Sequence, residues 1–229
     1  MAPLVIFDCD GVLVDSELLE HGVDAELLGP LGYAASPQEL LQRFVGIART
    51  DMYEAVFAEL GREMPRGLLD EREKRVWQRC HSDLRTVPGV EEALEALRRR
   101  PKCVASSSIP AKLQLKLEST GLARHFAPYV FSTALVARGK PAPDIYLHAA
   151  QAVGHAANDC IVVEDSPHGI AGAKAAGMRA IGFTGGSHAT PSLAIELRLA
   201  GAVLVVDHMD DLPKAIESVV VEMPGAGYP

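Results

Sequence analysis

Six short apolar runs constrain this chain more than any other feature: "PLVIF" (3–7), "KCVAS" (102–106), "YVFS" (129–132), "CIVVE" (160–164), "MRAIGF" (178–183) and "AVLVV" (202–206). They are rich in valine and isoleucine and carry little alternation of polar with apolar residues. A strand with one wet face alternates; a strand covered on both faces does not. The runs therefore read as strands of a mostly parallel sheet. Helical stretches separate them. "PGVEEALEALRRR" (88–100) has apolar residues at 90, 93, 94 and 97, and Pro101 stops it. "PAKLQLKLESTG" (110–121) ends on a glycine cap, Gly121. "PDIYLHAAQAVG" (143–154) and "SPHGIAGAKAAG" (166–177) open near proline and close on glycine. Strand alternating with helix predicts an α/β fold with a doubly wound sheet.

The interval between the first two strands breaks this rhythm. "SELLEHGVDAELLGPLG", "SPQELLQRFVG", "DMYEAVFAELG" and "RGLLDEREKRVWQRCHSDLR" all read as helices, and together they are too long for one crossover. Residues 17–86 are expected to form a small helical domain above the sheet, with residues 1–16 and 87–229 forming the α/β core. The junctions fall near Asp15–Glu17 and Thr86–Gly89. The tail "PGAGYP" is expected to be mobile.

A formal net charge of −8 disfavours nucleic acid or an anionic membrane as partner. No apolar run reaches the length of a membrane span. Cys9, Cys80, Cys103 and Cys160 stand alone, without a C-x-x-C pair, which disfavours zinc; Cys103 and Cys160 read as buried thiols. The N-terminus lacks a basic leader, so a cytoplasmic location is the expectation; a monomer is expected, although no sequence feature fixes the oligomeric state. No G-x-G-x-x-G occurs, which disfavours a dinucleotide.

Chemistry is expected just beyond the carboxyl ends of the strands, where open parallel sheets bind ligands. The first strand runs into "DCDG": Asp8 and Asp10 follow a buried strand, and Gly11 follows them. Carboxylates are costly to desolvate and repel each other, so a fold does not need this feature. Ser106, Ser107 and Ser108 follow the second strand, Lys140 lies in "ARGKPAPD", and Glu164 with Asp165 follows the fourth. Two like charges about 4 Å apart repel by ~4 kcal/mol at an effective dielectric of 20. Four carboxylates opposed by Lys140 alone require either protonation or a cation. All-oxygen ligands select a hard cation, Mg2+ before Ca2+. Structural alternatives attach to each part. Ser108 reads as a cap for the helix at Pro110, and Glu164 and Asp165 could cap the helix near Pro167. His168 reads as a helix-start residue, and Phe44 and Trp77 as packing residues.

These motifs are recognisable together. "DCDGVLVDSE" resembles the first motif of the haloacid dehalogenase (HAD) superfamily. "VASSS", with Ser106, resembles the second; Lys140 in "RGKPAPDIY" the third; "VVEDSPHGIAGAKAAGM" the fourth. The resemblance extends from residue 3 to about 213, and the insert resembles a C1-type cap on a HAD-like Rossmannoid core. It implies a phosphatase of a small phosphorylated sugar or sugar acid, working through an aspartyl-phosphate. Asp8 would be the nucleophile and Asp10 the acid and base. Mg2+ would be held by Asp8, the Asp10 carbonyl and Asp165, with Glu164 ligating directly or through water. Ser106, Gly11 and the amide of Ser107 would bind the phosphoryl group, and Lys140 would neutralise charge.

Two alternatives stand beside this reading: a β-phosphoglucomutase-like phosphotransferase and a non-catalytic binding module. Mutases of the family carry a histidine where this chain has Glu20. His21 lies one residue later, about 100° around a helix, and is expected to point elsewhere. In the loop "FVGIARTD" (44–51), Gly46 permits a tight bend and Arg49 is the candidate substrate contact; the alternative for Arg49 is a surface residue beside a helix start at Thr50 or Asp51.

Overall fold

The computed structural model describes residues 2–44, 47–221 and 223. Gly46 and the 224–229 tail, with the roles expected of them, lie outside the described residues.

All six apolar runs are strands: β1 (Leu4–Phe7), β2 (Lys102–Ser106), β3 (Val130–Ser132), β4 (Cys160–Glu164), β5 (Arg179–Phe183) and β6 (Leu204–Val206). They form one parallel sheet in the order β3-β2-β1-β4-β5-β6. The direction of winding reverses at β1, which is where a crevice opens at the carboxyl edge. Among the described residues the helices are α1 (Ser16–Leu28), α2 (Pro37–Arg43), α3 (Arg49–Glu59), α4 (Leu68–Ser82), α5 (Val90–Ala96), α6 (Pro110–Ser119), α7 (Ala123–Phe126), α8 (Asp144–Val153), α9 (Pro167–Ala175), α10 (Leu193–Ala200) and α11 (Leu212–Val221). None is long and apolar enough to cross a membrane.

The missing alternation has a direct cause. Val5 and Phe7 point into a core built with α5, α6, α7 and α11, while Leu4 and Ile6 point into one built with α8, α9 and α10. Both faces of β1 are fully covered, so every position must be apolar. The four cysteines are free and buried.

Helices α1 to α4 pack on their own apolar centre. Leu28, Leu40, Phe44, Met52, Tyr53, Val56 and Phe57 form one cluster, and Val23, Leu27, Val76 and Cys80 a second that also touches Leu115 of α6. Trp77 is half-buried. α2 starts with a reciprocal cap between Ser36 and Glu39, worth about 1 kcal/mol. The chain enters and leaves this helical region side by side: Val14 bridges Thr86 in antiparallel fashion, and the Asp15 N–H donates to the Arg85 carbonyl at 2.9 Å.

Candidate active site

Sheet register brings the strand-end residues together. Phe7 is level with Val163 and Val104, so Asp8 emerges between Glu164 of β4 and the Ala105–Ser106 end of β2. The Asp8 N–H still donates to the Val163 carbonyl at 2.9 Å, which fixes the backbone as the strand ends.

Lys140 reaches into this gap. Its ammonium donates to Asp8 Oδ1, to Glu164 Oε1 at 2.6 Å and to the Ala105 carbonyl at 3.0 Å. Its side chain is 6% exposed, so these contacts replace water almost completely. Glu164 is saturated: Tyr146 Oη donates to Oε1 at 3.0 Å, and the Ser166 N–H and hydroxyl donate to Oε2 at 3.0 and 2.8 Å. A side chain on Gly169 would collide with this carboxylate. Neither Glu164 nor Asp165 caps α9; Ser166 does, accepting from the Gly169 N–H.

Asp10 has a separate environment. Lys116 and Ser16 donate to Oδ1, and the Ser108 hydroxyl donates to Oδ2 at 2.8 Å. Ser108 is therefore not the cap of α6; that position is Ile109 and lacks a side-chain bond. Burial by itself would raise the Asp10 carboxyl, but the Lys116 ammonium and these hydrogen bonds outweigh it and hold the group below its ordinary value. Asp8 moves the other way. Burial pushes it well up, and Glu164, Asp165 and Asp10 add to that against the pull of Lys140. Two carboxylates two residues apart are thus driven in opposite directions, and ionised Asp8, the form a nucleophile requires, would need a cation beside it.

Gly11 contributes through shape. It has φ +78°, and a Cβ there would collide with the Asp165 carboxylate. Its N–H is occupied by the Val14 carbonyl at 2.8 Å, which corrects the expectation that this amide faces a phosphoryl group. Ser106 is 1% exposed, and its hydroxyl oxygen accepts from the Ser108 N–H at 3.0 Å, which leaves the hydroxyl proton to donate. Ser107 is exposed beside it. His168 is exposed at the start of α9.

With Lys116 committed to Asp10, three carboxylates remain, Asp8, Glu164 and Asp165, and Lys140 is their one lysine. His188 Nε2 adds a contact to Asp165 Oδ2 at 3.0 Å. A negative surplus in a buried site fits a divalent ion. Among the described residues no three His, Cys, Asp or Glu side chains are clustered as a metal cage. An ion held here would therefore draw on carbonyl, water and phosphate oxygens besides one or two carboxylates.

Arg49 is not a surface residue. It is the first residue of α3, and its guanidinium meets Asp24 Oδ2 at 2.7 Å and His21 Nδ1 at 3.1 Å. Glu20 and Glu17 lie 3.8 and 3.9 Å from its other nitrogen. His21 is buried, 3% exposed, and faces Asp24, as its offset from position 20 requires. Sequence reasoning missed Ser16, Lys116, Tyr146 and His188. Lys112 and Lys116 are four apart on α6, so they share a helix face; that spacing was the available signal.

Residues 2–177 match the family model described as haloacid dehalogenase-like hydrolase. The chain belongs to the haloacid dehalogenase-like hydrolase family. This hydrolase is 28% identical over 211 residues to 6-phosphogluconate phosphatase of Escherichia coli K12, with 92% of each chain covered. It is 30% identical over 216 residues to β-phosphoglucomutase of Bacillus subtilis 168, covering 91% of this chain and 90% of that one. Among solved structures, a haloacid dehalogenase-like protein of Agrobacterium tumefaciens C58 is 43% identical with a TM-score of 0.86, covering 96% of this chain and 99% of that one. A HAD family hydrolase of Deinococcus radiodurans R1, crystallised with bound phosphate and sodium, is 31% identical with a TM-score of 0.84, covering 95% and 97%.

Proposed function

We propose that this hydrolase is a Mg2+-dependent phosphatase of a small phosphorylated sugar or sugar acid, acting through an aspartyl-phosphate on Asp8. The observation that carries the reading is the pair of carboxylates at the end of β1 held by two different lysines, Asp8 by Lys140 and Asp10 by Lys116. Asp8, the Asp10 carbonyl and Asp165 would hold Mg2+, with Glu164 behind them anchoring Lys140. The ion would supply positive charge that lets an anion approach a phosphate anion.

Asp8 Oδ1 is occupied by Lys140, so Oδ2 is the attacking oxygen. Its electron pair forms the new P–O bond as the bond to the leaving alcohol breaks. Ser106 and the Ser107 amide face the equatorial oxygens, and Lys140 balances the charge that builds there. Asp10 gives the leaving oxygen its proton, then takes one from the water that cleaves the acyl phosphate. Lys116, Ser16 and Ser108 favour ionised Asp10, which suits the second half. The first half needs a proton on that carboxyl, and an incoming phosphate dianion favours its uptake. We read residues 17–86 as a cap over this chamber and the remainder as the catalytic core.

The mutase reading draws on the β-phosphoglucomutase relative. It requires a second sugar hydroxyl, rather than water, to reach the acyl phosphate. Glu20 stands at the position where the mutases have histidine, and burial there is outweighed by Lys112, Lys116 and Arg72, which keep it ionised. Neither Glu20 nor the buried His21 is free for proton transfer, so the phosphatase reading is preferred. Phosphate release from a panel of sugar phosphates, with Mg2+ and with EDTA, tests it. Release that needs Mg2+ supports it; isomerisation of β-glucose 1-phosphate without release overturns it in favour of the mutase.

A further inference from the structure

Resting on the phosphatase reading, we propose that the substrate's leaving group is an uncharged sugar or polyol, with neither a carboxylate nor a second phosphate. A chamber that binds a second anionic group must present a cation to it. Among the described residues, the basic side chains that connect Asp10 to α1, α3 and α4 are Lys116, Lys112, Arg72 and Arg49, and each is already committed to a carboxylate.

Lys116 is bound to Asp10 and lies 3.8 Å from Glu20. Lys112 is 2.8 Å from Glu20 and 3.5 Å from Glu73. Arg72 donates to Asp24 at 2.8 Å and to Glu20 at 2.8 Å. Arg49 donates to Asp24 at 2.7 Å, and Tyr53 Oη gives Asp24 a further bond at 3.0 Å. Asp24 is fully buried, so its bonds to Arg72 and Arg49 are shielded from water at the carboxylate end. His21 adds no positive charge at neutral pH, because burial and then Arg49 push it down to about 4.

Glu17 points the same way. Its nearest basic nitrogen among the described contacts is Arg49 Nη2 at 3.9 Å, beyond a hydrogen bond. Glu17 opens α1 directly after Ser16, whose hydroxyl donates to Asp10, so its carboxylate is carried on the element that meets the acid–base residue. A carboxylate there accepts hydrogen bonds from substrate hydroxyls and repels a second anion. An anionic leaving group would meet Glu17 without gaining an unpaired cation, whereas a polyol would meet an acceptor.

Three substrates on one six-carbon scaffold separate the cases: glucose 6-phosphate, 6-phosphogluconate and glucose 1,6-bisphosphate. With Mg2+ present, kcat/KM for glucose 6-phosphate is expected to exceed that for each of the other two by about tenfold or more. Equal or better turnover of either substrate that carries the additional carboxylate or phosphate overturns the inference while leaving the phosphatase reading intact. No phosphate from any of the three overturns the phosphatase reading, and this inference with it. Glu20→Gln, which removes a partner from Lys112 and Arg72, should narrow the preference against 6-phosphogluconate by a few fold, and an unchanged or wider preference in that folded variant also counts against it.

Discussion

Two regions of this molecule bury charge, and they differ in what is left over. At the end of β1 and β4, Asp8 and Glu164 share Lys140, and Asp165 beside them takes a contact from His188. In the helices of residues 17–86, Asp24 is matched by Arg49, Arg72 and a tyrosine hydroxyl, and Glu20 by Arg72 and Lys112. The first region carries a surplus and is poised for something to arrive. The second is closed on itself. A surplus of buried like charge costs stability that only a ligand or a reaction explains, whereas a balanced network sets how helices dock.

The widest test of this contrast is Asp8→Asn. Turnover should fall by about 10⁴-fold or more if, as proposed, Asp8 is the nucleophile. Stability should hold or rise, since burial and neighbouring carboxylates already oppose a charge at this position. A melting temperature that drops sharply would show that Asp8 is as structural as Asp24. The counterpart is Asp24→Asn, which strips Arg49 and Arg72 of their buried partner. Removing one member of a buried pair costs about 3–5 kcal/mol, readable as a lower midpoint in urea unfolding. A change under ~0.5 kcal/mol would mean that the network contributes nothing to holding these helices.

Acid sharpens the comparison further. The His21 ring is pushed down from 6.5 to about 4 by burial first and Arg49 next. Between those values the unfolded chain takes up a proton that the folded chain refuses. Stability from His21 is therefore present above pH 6.5 and lost as pH falls towards 4. The full effect is about 3 kcal/mol. His21→Gln should flatten the decline of unfolding free energy across that window relative to wild type; parallel curves would refute it. The smallest effect is expected from Lys112→Gln, which loosens the contact of α6 with α1 and α4 by about 1–2 kcal/mol, since Glu20 keeps its bond to Arg72.

The sheet was legible because covering both faces of a strand forces an unbroken apolar run, and all six runs became strands. Asp8, Asp10, Glu164 and Asp165 were legible for the opposite reason: carboxylates beside such runs are too costly to be incidental. Lys140 needed the company of these motifs to stand out. The rest depended on tertiary placement. Lys116 lies among leucines on α6 and reads as one side of an amphipathic helix; only the docking of α6 turns it towards Asp10. His188 comes from a loop after β5 and Tyr146 from the face of α8. Ser108 has the right spacing to cap α6, but Asp10 competes for its hydroxyl and wins. In sequence Arg49 reads as reaching for a ligand or for solvent; its partner, Asp24, lies on a helix with no local mark of burying charge.

The bridge between Val14 and Thr86 carries a last consequence. Because the two connecting segments lie hydrogen-bonded as neighbours, a graft at this point asks the host to close almost no gap, whatever length of chain is hung from it. A direct splice across the bridge would leave all six sheet partners in their registers. Exchange of the helical segment for one of another size would therefore have to rebuild chiefly the contacts with α6.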